Sequence, residues 1–198
     1  TWFIERPVAE DDLAAWAGLA DALGAPWLRV FAGRMGVAGD VDAAARGFAD
    51  LAQRLQERGA RVRLALETHH GFVTAALCRE LCDRAGPDLG LIWDLHHTWQ
   101  AGGEDPATTW DRLGDRVVHV QIKDSVAVPS GKHPYTLVLP GAGVAPLDDL
   151  ARILVAADFR GPVSLEWERL WHPGLPPIED ALAACVGRPW FPGIRRPA

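Results

Sequence analysis

Leu91-Ile-Trp-Asp-Leu-His-His97 is an apolar run that stops at an aspartate, with two histidines inside the next turn. Three other stretches behave alike. Leu64-Ala-Leu-Glu67 stops at a glutamate and is followed by Thr68, His69 and His70. Val163-Ser-Leu-Glu166 stops at another glutamate, and Val117-Val-His-Val-Gln-Ile-Lys-Asp124 alternates apolar and polar residues. Each strand-like segment delivers an oxygen ligand of the metal-binding kind near its C-terminal end.

Helical spacing fills the gaps between these strands. Glu10–Leu23 places Leu13, Trp16, Ala17, Ala20 and Leu23 on one stripe, and Gly24 closes it as a C-cap. Pro26–Phe31 reads as a strand and Gly33–Gly39 as a loop. Val41–Glu57 is a helix with Ala43, Ala44, Phe48, Leu51 and Leu55 inward, ended by Gly59. Then come strand Val62–Glu67, helix Val73–Ala85, strand Leu89–Asp94, helix Pro106–Leu113, strand Val117–Lys123, helix Pro146–Ala157, strand Val163–Trp167 and helix Pro177–Val186. Such alternation indicates parallel βαβ units. Ser125–Gly143, rich in Gly and Pro, reads as a long loop of the kind that is a functional lid or disordered; it carries Lys132, His133 and Tyr135. Its Gly141-x-Gly143 pair is too weak a signal for a phosphate cradle.

Side-chain direction separates an open sheet from a barrel. In Val117–Lys123, Val118, Val120 and Ile122 share one face and His119, Gln121 and Lys123 the other. In Val62–Glu67 the second face is Arg63, Ala65 and Glu67; in Val163–Trp167 it is Ser164 and Glu166. A doubly wound sheet needs apolar residues on both faces. A barrel tolerates polar residues inside, toward the C-terminal rim where active sites of (β/α)8 barrels lie. The expectation is therefore an α/β chain of TIM-barrel type.

Composition sets the bounds. One domain spanning 1–198 is expected, with 48% apolar and 23% charged residues, ordinary for a globular protein. A formal charge of −6 argues against nucleic acid as a partner. No run of about 18 apolar residues suggests a membrane span. Thr1-Trp-Phe-Ile-Glu-Arg-Pro7 lacks the basic start of a signal peptide, and the missing initiator methionine hints at trimming. Cys78 and Cys82 sit four apart rather than in Cys-x-x-Cys, and with Cys185 they read as buried thiols of a reducing, cytoplasmic protein.

Glu67, Asp94, Gln121 and Glu166 point inward from the ends of separate strands. Hard oxygen donors suit a divalent ion, Mn²⁺ or Mg²⁺ ahead of Co²⁺ or Zn²⁺. Three converging carboxylates without a cation would raise one another's pKa. His119 is an alternative ligand to Gln121, but lies deeper by about 7 Å at strand rise. His97, just beyond the rim, is a ligand or substrate contact; His69 is a further substrate contact. Lys123 is a candidate for holding a substrate oxygen, with a salt bridge to Asp124 or a neighbour as the other reading.

Leu-Glu-Thr-His (66–69), Trp-Asp-Leu-His-His (93–97), Val-His-Val-Gln-Ile-Lys-Asp (118–124), Pro-Gly-Ala-Gly-Val-Ala-Pro-Leu (140–147) and Ser-Leu-Glu-Trp-Glu (164–168) together resemble the xylose isomerase-like TIM-barrel superfamily, within it the sugar phosphate isomerase/epimerase group. The resemblance implies a metal held by Glu67, Asp94, Gln121 and Glu166, with Glu67 and Glu166 as acid and base, and His97 and Lys123 on substrate oxygens; His69 and His119 are further candidate substrate contacts. It implies an isomerase or epimerase of a small sugar or hydroxy-carbonyl compound working through an enediolate. A dehydratase or other lyase on the same metal, a non-catalytic barrel remnant, and an abasic-site endonuclease are the rival readings. A homo-oligomer is compatible with all of them.

A full barrel takes about 250 residues. Pro26–Phe31 matches the fourth strand, so about the last five βα units are expected here, with strands one to three absent. An N-terminally truncated chain is the expectation; a half-barrel completed by a partner is the alternative.

Overall fold

The computed structural model describes residues 2–3, 8–33, 38–131 and 133–191. They fall into two compact units, Thr1–Trp93 with Asp111–Val118, and Asp94–Trp110 with His119–Ala198.

In the first unit, strands β1 (Trp2–Phe3), β2 (Trp27–Phe31), β3 (Arg63–Glu67) and β4 (Gly90–Asp94, to Trp93) run parallel in that order. The register pairs Leu28 with Leu64, Val30 with Leu66, and Leu66 with Leu91. Strand β1 was not expected; it pairs through Trp2↔Val30 and Phe3↔Phe31. Helices α1 (Glu10–Leu23), α2 (Ala38–Glu57) and α3 (Ala75–Ala85) supply the crossovers. Acidic Glu10, Asp11 and Asp12 suit the positive N-terminal end of the α1 dipole. Gly24 ends α1 at φ 63°, where a side chain would be strained, and its N–H reaches the carbonyls of Ala20 and Asp21.

Of the α1 stripe, Leu13, Ala17 and Ala20 are buried, while Trp16 and Leu23 are exposed. Along α2, Val41, Ala44, Ala45, Phe48, Leu51 and Leu55 face the core, with Ala45 taking the place assigned to Ala43. Residues 34–37 of the expected Gly33–Gly39 loop lie outside the described residues, and α2 has already begun at Ala38.

In the second unit, β5 (Val117–Ile122, from His119) pairs in parallel with β8 (Val163–Leu165). The expected loop Ser125–Gly143 instead opens with a small antiparallel hairpin, β6 (Asp124–Val126) against β7 (Thr136–Val138). Its partner pairs are Asp124↔Val138, Ser125↔Leu137 and Val126↔Thr136. Lys132 lies outside the described residues. Helix α5 (Leu147–Ala156) buries Leu147, Leu150, Ala151 and Leu154, and α6 (Ile178–Cys185) buries Ala181 and Cys185. Helix α4 (Pro106–Leu113) runs from the second unit into the first. No helix among the described residues is long and apolar enough to cross a membrane.

Candidate active site

Strand alternation carries His119, Gln121 and Lys123 to one face of β5. Beside them on β8, Gln121 pairs with Ser164 and Ile122 with Leu165, so Glu166 follows next to Lys123. The Glu166 N–H donates to the Ile122 carbonyl at 2.9 Å and prolongs the ladder by one residue. Local sheet geometry thus sets a lysine against a glutamate.

Asp94 ends β4, and its Oδ1 accepts the N–H of His97 at 3.0 Å. His97 opens a single π-helical turn, His97–Ala101, closed by Gly102 N–H on the His97 carbonyl at 3.0 Å. Turns of this kind are frequent at functional sites. His97 Nδ1 lies 3.3 Å from Asp94 Oδ2.

These groups converge on one ammonium. Lys123 Nζ lies 3.1 Å from Asp94 Oδ2, 3.0 Å from His97 Nε2, 2.6 Å from Glu166 Oε2 and 2.6 Å from Glu168 Oε1. An ammonium only donates, so His97 Nε2 accepts and Nδ1 carries the proton toward Asp94. Lys123 is 1% exposed. Burial works against its charge, but Asp94, Glu166 and Glu168 outweigh that and hold its pKa well above the ordinary value. Glu166 is pushed up by burial and by the Asp94 charge, with Lys123 pulling the other way.

Three carboxylates around one ammonium leave surplus negative charge, which a divalent cation would offset. Asp94, His97 and Glu166 each offer a donor atom, all within 4.8 Å of one another. Nearby in sequence, Gln121 Oε1 is buried and has no hydrogen-bond partner among the described residues. A buried acceptor left unmade costs about 1–3 kcal/mol. An orphaned amide oxygen with carboxylate and imidazole donors is a set that fits a hard or borderline divalent ion.

The surroundings are specific too. His96 Nε2 is 2.8 Å from Ser125 Oγ. Burial, then the Lys123 charge, lowers the His96 pKa to about 4, so its ring is neutral at physiological pH. Its edge meets Tyr135 at 4.7 Å and Trp99 at 5.7 Å. Burial raises the Tyr135 pKa, keeping that hydroxyl protonated. His119 Nε2 bonds Ser164 Oγ at 2.7 Å, tying β5 to β8 below Gln121.

Glu67 and His69 belong to the first unit. Glu67 is buried, and its Oε2 accepts from Arg29 Nη1 at 2.7 Å. His69 bonds His70 through their Nδ1 atoms, and its ring lies 4.9 Å from Phe31. Of the residues singled out by sequence, Asp94, His97, Lys123 and Glu166 come together in the second unit, with Gln121 one position below on the Lys123 face.

Glu168 was missed, although it stands two residues beyond Glu166, the interval that already linked Gln121 with Lys123. Asp124 was missed as well. Its carboxylate accepts four backbone N–H groups, from Ser125 (2.8 Å), Gly141 (2.8 Å), Gly143 (2.9 Å) and Ala145 (3.0 Å). The Gly141-x-Gly143 segment therefore cradles an anion, but one belonging to the chain itself.

The family described as xylose isomerase-like TIM barrel matches residues 5–185. The chain belongs to this family. Among solved members of similar fold, a xylose isomerase domain protein from Planctomyces limnophilus has a TM-score of 0.72 at 20% identity, covering 89% of this chain and 62% of its own. The probable 3-DHS dehydratase AsbF, involved in petrobactin synthesis, from Bacillus anthracis has a TM-score of 0.69 at 19% identity, covering 84% and 68%. D-psicose 3-epimerase from Clostridium cellulolyticum H10, solved with D-tagatose, has a TM-score of 0.60 at 14% identity, covering 83% and 60%. At these identities the likeness fixes the fold, a xylose isomerase-like TIM-barrel type, and the chain spans only part of each relative. No curated protein sequence matches it.

Proposed function

We propose that this xylose isomerase-like chain, one domain over 1–198, carries a divalent-metal-dependent isomerase or epimerase centre for a small sugar or hydroxy-carbonyl substrate. The observation that carries the proposal is the convergence of Asp94, His97 and Glu166 in one unit, with the orphaned Gln121 Oε1 on the same face of β5 as Lys123. Asp94 and Glu166 would hold the ion, with Gln121 or His97 as the neutral donor; Mn²⁺ or Mg²⁺ suits the oxygen-rich set. A bound ion would polarise a carbonyl and its neighbouring hydroxyl and so acidify the C–H between them. Glu166, beside Lys123 and Asp94, is placed to take that proton as a general base. Lys123 would donate to a substrate oxygen as negative charge develops there, and His97, where Gln121 is the neutral ligand, would contact the substrate instead. Assigning Glu67 as ligand and opposite base, and His69 as a substrate contact, rests on the Leu66–His69 motif.

The reading is tested by Glu166→Gln assayed with Mn²⁺ on a panel of ketoses and aldoses. Loss of turnover with the fold retained supports Glu166 as base; full turnover removes it from that role. The dehydratase-named relative favours a second reading, a lyase on the same centre, since both reactions begin with the same proton abstraction. NMR in D₂O separates the two: solvent exchange with inversion at carbon marks an epimerase, exchange with loss of water a lyase. A sugar-like small molecule, not nucleic acid, is the proposed partner, in the cytoplasm, and self-association is compatible with it.

A further inference from the structure

The ammonium of Lys123 touches each member of the Asp94, His97 and Glu166 cluster. A divalent ion bonds such donors at about 2.0–2.2 Å. Asp94, His97 and Glu166 offer donor atoms within 4.8 Å of one another, and Lys123 Nζ lies 3.1, 3.0 and 2.6 Å from their Oδ2, Nε2 and Oε2 atoms. An ion shared by the trio would fall in the space that the ammonium fills, and two cations cannot share it. Glu168 is different. It contacts the same ammonium at 2.6 Å, yet it is outside the trio.

We propose that Lys123 is an exchangeable cation of the metal centre: it neutralises Asp94 and Glu166 in the metal-free protein, and on metal entry it withdraws to Glu168. This rests on the metal-dependent reading above and deepens it, because it makes Lys123 and Glu168 the residues that set how tightly the ion is held. The lysine stem is long and flexible, so a swing of the ammonium by a few ångströms needs no backbone change. The partner waiting at the far side keeps the displaced charge paired, which a buried ammonium requires. Lys123 is then a competitor for the ion, and Glu168 relieves the competition.

The test is direct Mn²⁺ binding, read by calorimetry and by electron paramagnetic resonance on purified protein. Lys123→Met should bind Mn²⁺ at least ten-fold more tightly than the parent. Glu168→Gln should bind it several-fold more weakly, because the displaced ammonium loses its resting place. In the Lys123→Met background Glu168→Gln should change little, since there is no ammonium left to accommodate; this coupling separates exchange from the simple loss of a nearby negative charge. Equal Mn²⁺ affinity in the parent and a folded Lys123→Met overturns the exchange while leaving the metal centre standing. No Mn²⁺ binding in any variant overturns both. Should Lys123→Met fail to fold, a Mn²⁺-soaked crystal of the parent decides. Lys123 Nζ beyond hydrogen-bond reach of Asp94, more than about 3.5 Å, and still on Glu168 supports exchange; Lys123 unmoved beside a bound ion refutes it.

Discussion

Gly143 donates its N–H to Asp124 Oδ2 at 2.9 Å, and a Cβ on Gly143 would stand 2.2 Å from Asp124 Oδ1 and 2.4 Å from the Ser125 carbonyl. The backbone at residue 143 must come that close for the carboxylate to collect its four N–H groups. Hence the motif pairs an aspartate just after β5 with a glycine well down the chain. Gly143→Ala should cost about 3 kcal/mol or more, since backbone rather than a pliable side chain has to yield. Asp124→Ala should cost a similar amount, about 3 kcal/mol, because hydrogen bonds to a charged acceptor are worth about 1.5–3 kcal/mol each and do not add fully. Both should lower Tm by roughly 6–12 °C, at about 2–4 °C per kcal/mol, and both should speed proteolysis within residues 126–140. An unchanged melting curve for both variants would deny the cradle its structural role.

Gly90 begins β4 under similar crowding. A Cβ there would meet the Trp27 ring at 2.9 Å and both Val118 methyls at 3.0 Å, and Trp27 is itself covered by Arg63, whose guanidinium lies 4.0 Å from the ring centroid. Gly90→Ala should cost about 1–3 kcal/mol, typical of overpacking. The double variant Gly90→Ala with Trp27→Leu should recover part of that loss in chemical denaturation. If Gly90→Ala alone matches the parent in denaturation midpoint and slope, the contact is slack.

These two glycines mark where the sequence stopped being legible. Period-2 alternation and helical stripes are local, so strand and helix order, and the faces carrying Gln121, Lys123 and Glu166, could be read directly. The Asp124 cradle could not, because three of its donors lie 17 to 21 residues away. Nor could the π turn at His97, which depends on one backbone hydrogen bond being made to i+5 instead of i+4. Alternation alone leaves Lys123 as a substrate contact or a salt bridge; that it is ringed by Asp94, Glu166 and Glu168 depends on three segments meeting. Trp16 and Leu23 of α1 show the opposite error, where helical spacing puts on the buried stripe residues that are in fact exposed.

Cys78, Cys82 and Cys185 are all buried thiols. Burial raises the Cys82 and Cys185 thiols to about 11, against the opposing pull of Arg116 and Arg79 on Cys82 and of Arg188 on Cys185. A raised pKa means a smaller thiolate fraction, and thiolate is the reactive form. Native protein at pH 8 should therefore release almost no thiol signal with Ellman's reagent over an hour, while protein in guanidinium should titrate all three thiols at once. Rapid reaction of one thiol in the native state would show that its burial is breached on that timescale.

His119 and Ser164 share a 2.7 Å hydrogen bond one layer beneath Gln121. Removing either partner should cost about 1 kcal/mol, with a coupling of about 0.5–1.5 kcal/mol in a double-mutant cycle on His119→Ala and Ser164→Ala. The same cycle run on substrate KM checks the substrate-contact assignment of His119. Loss of affinity in His119→Ala that Ser164→Ala does not share would support a direct contact, and parallel small losses would mark the pair as a tie between β5 and β8.

Metal binding has a thermodynamic signature that needs no substrate. An ion that binds only the folded chain adds RT ln(1 + [L]/Kd), about 2.7 kcal/mol at a concentration one hundred times Kd. For a chain of this size that is a rise in Tm of roughly 5–11 °C, at about 2–4 °C per kcal/mol. Mn²⁺ should produce such a rise in the parent and EDTA should reverse it. Asp94→Asn should abolish most of it, because Asp94 is fully buried and supplies a charge that the amide cannot replace. Asp148→Asn, an exposed carboxylate in the first turn of α5, should keep the rise intact. A rise of the same size in Asp94→Asn would put the ion somewhere other than the Asp94, His97 and Glu166 cluster.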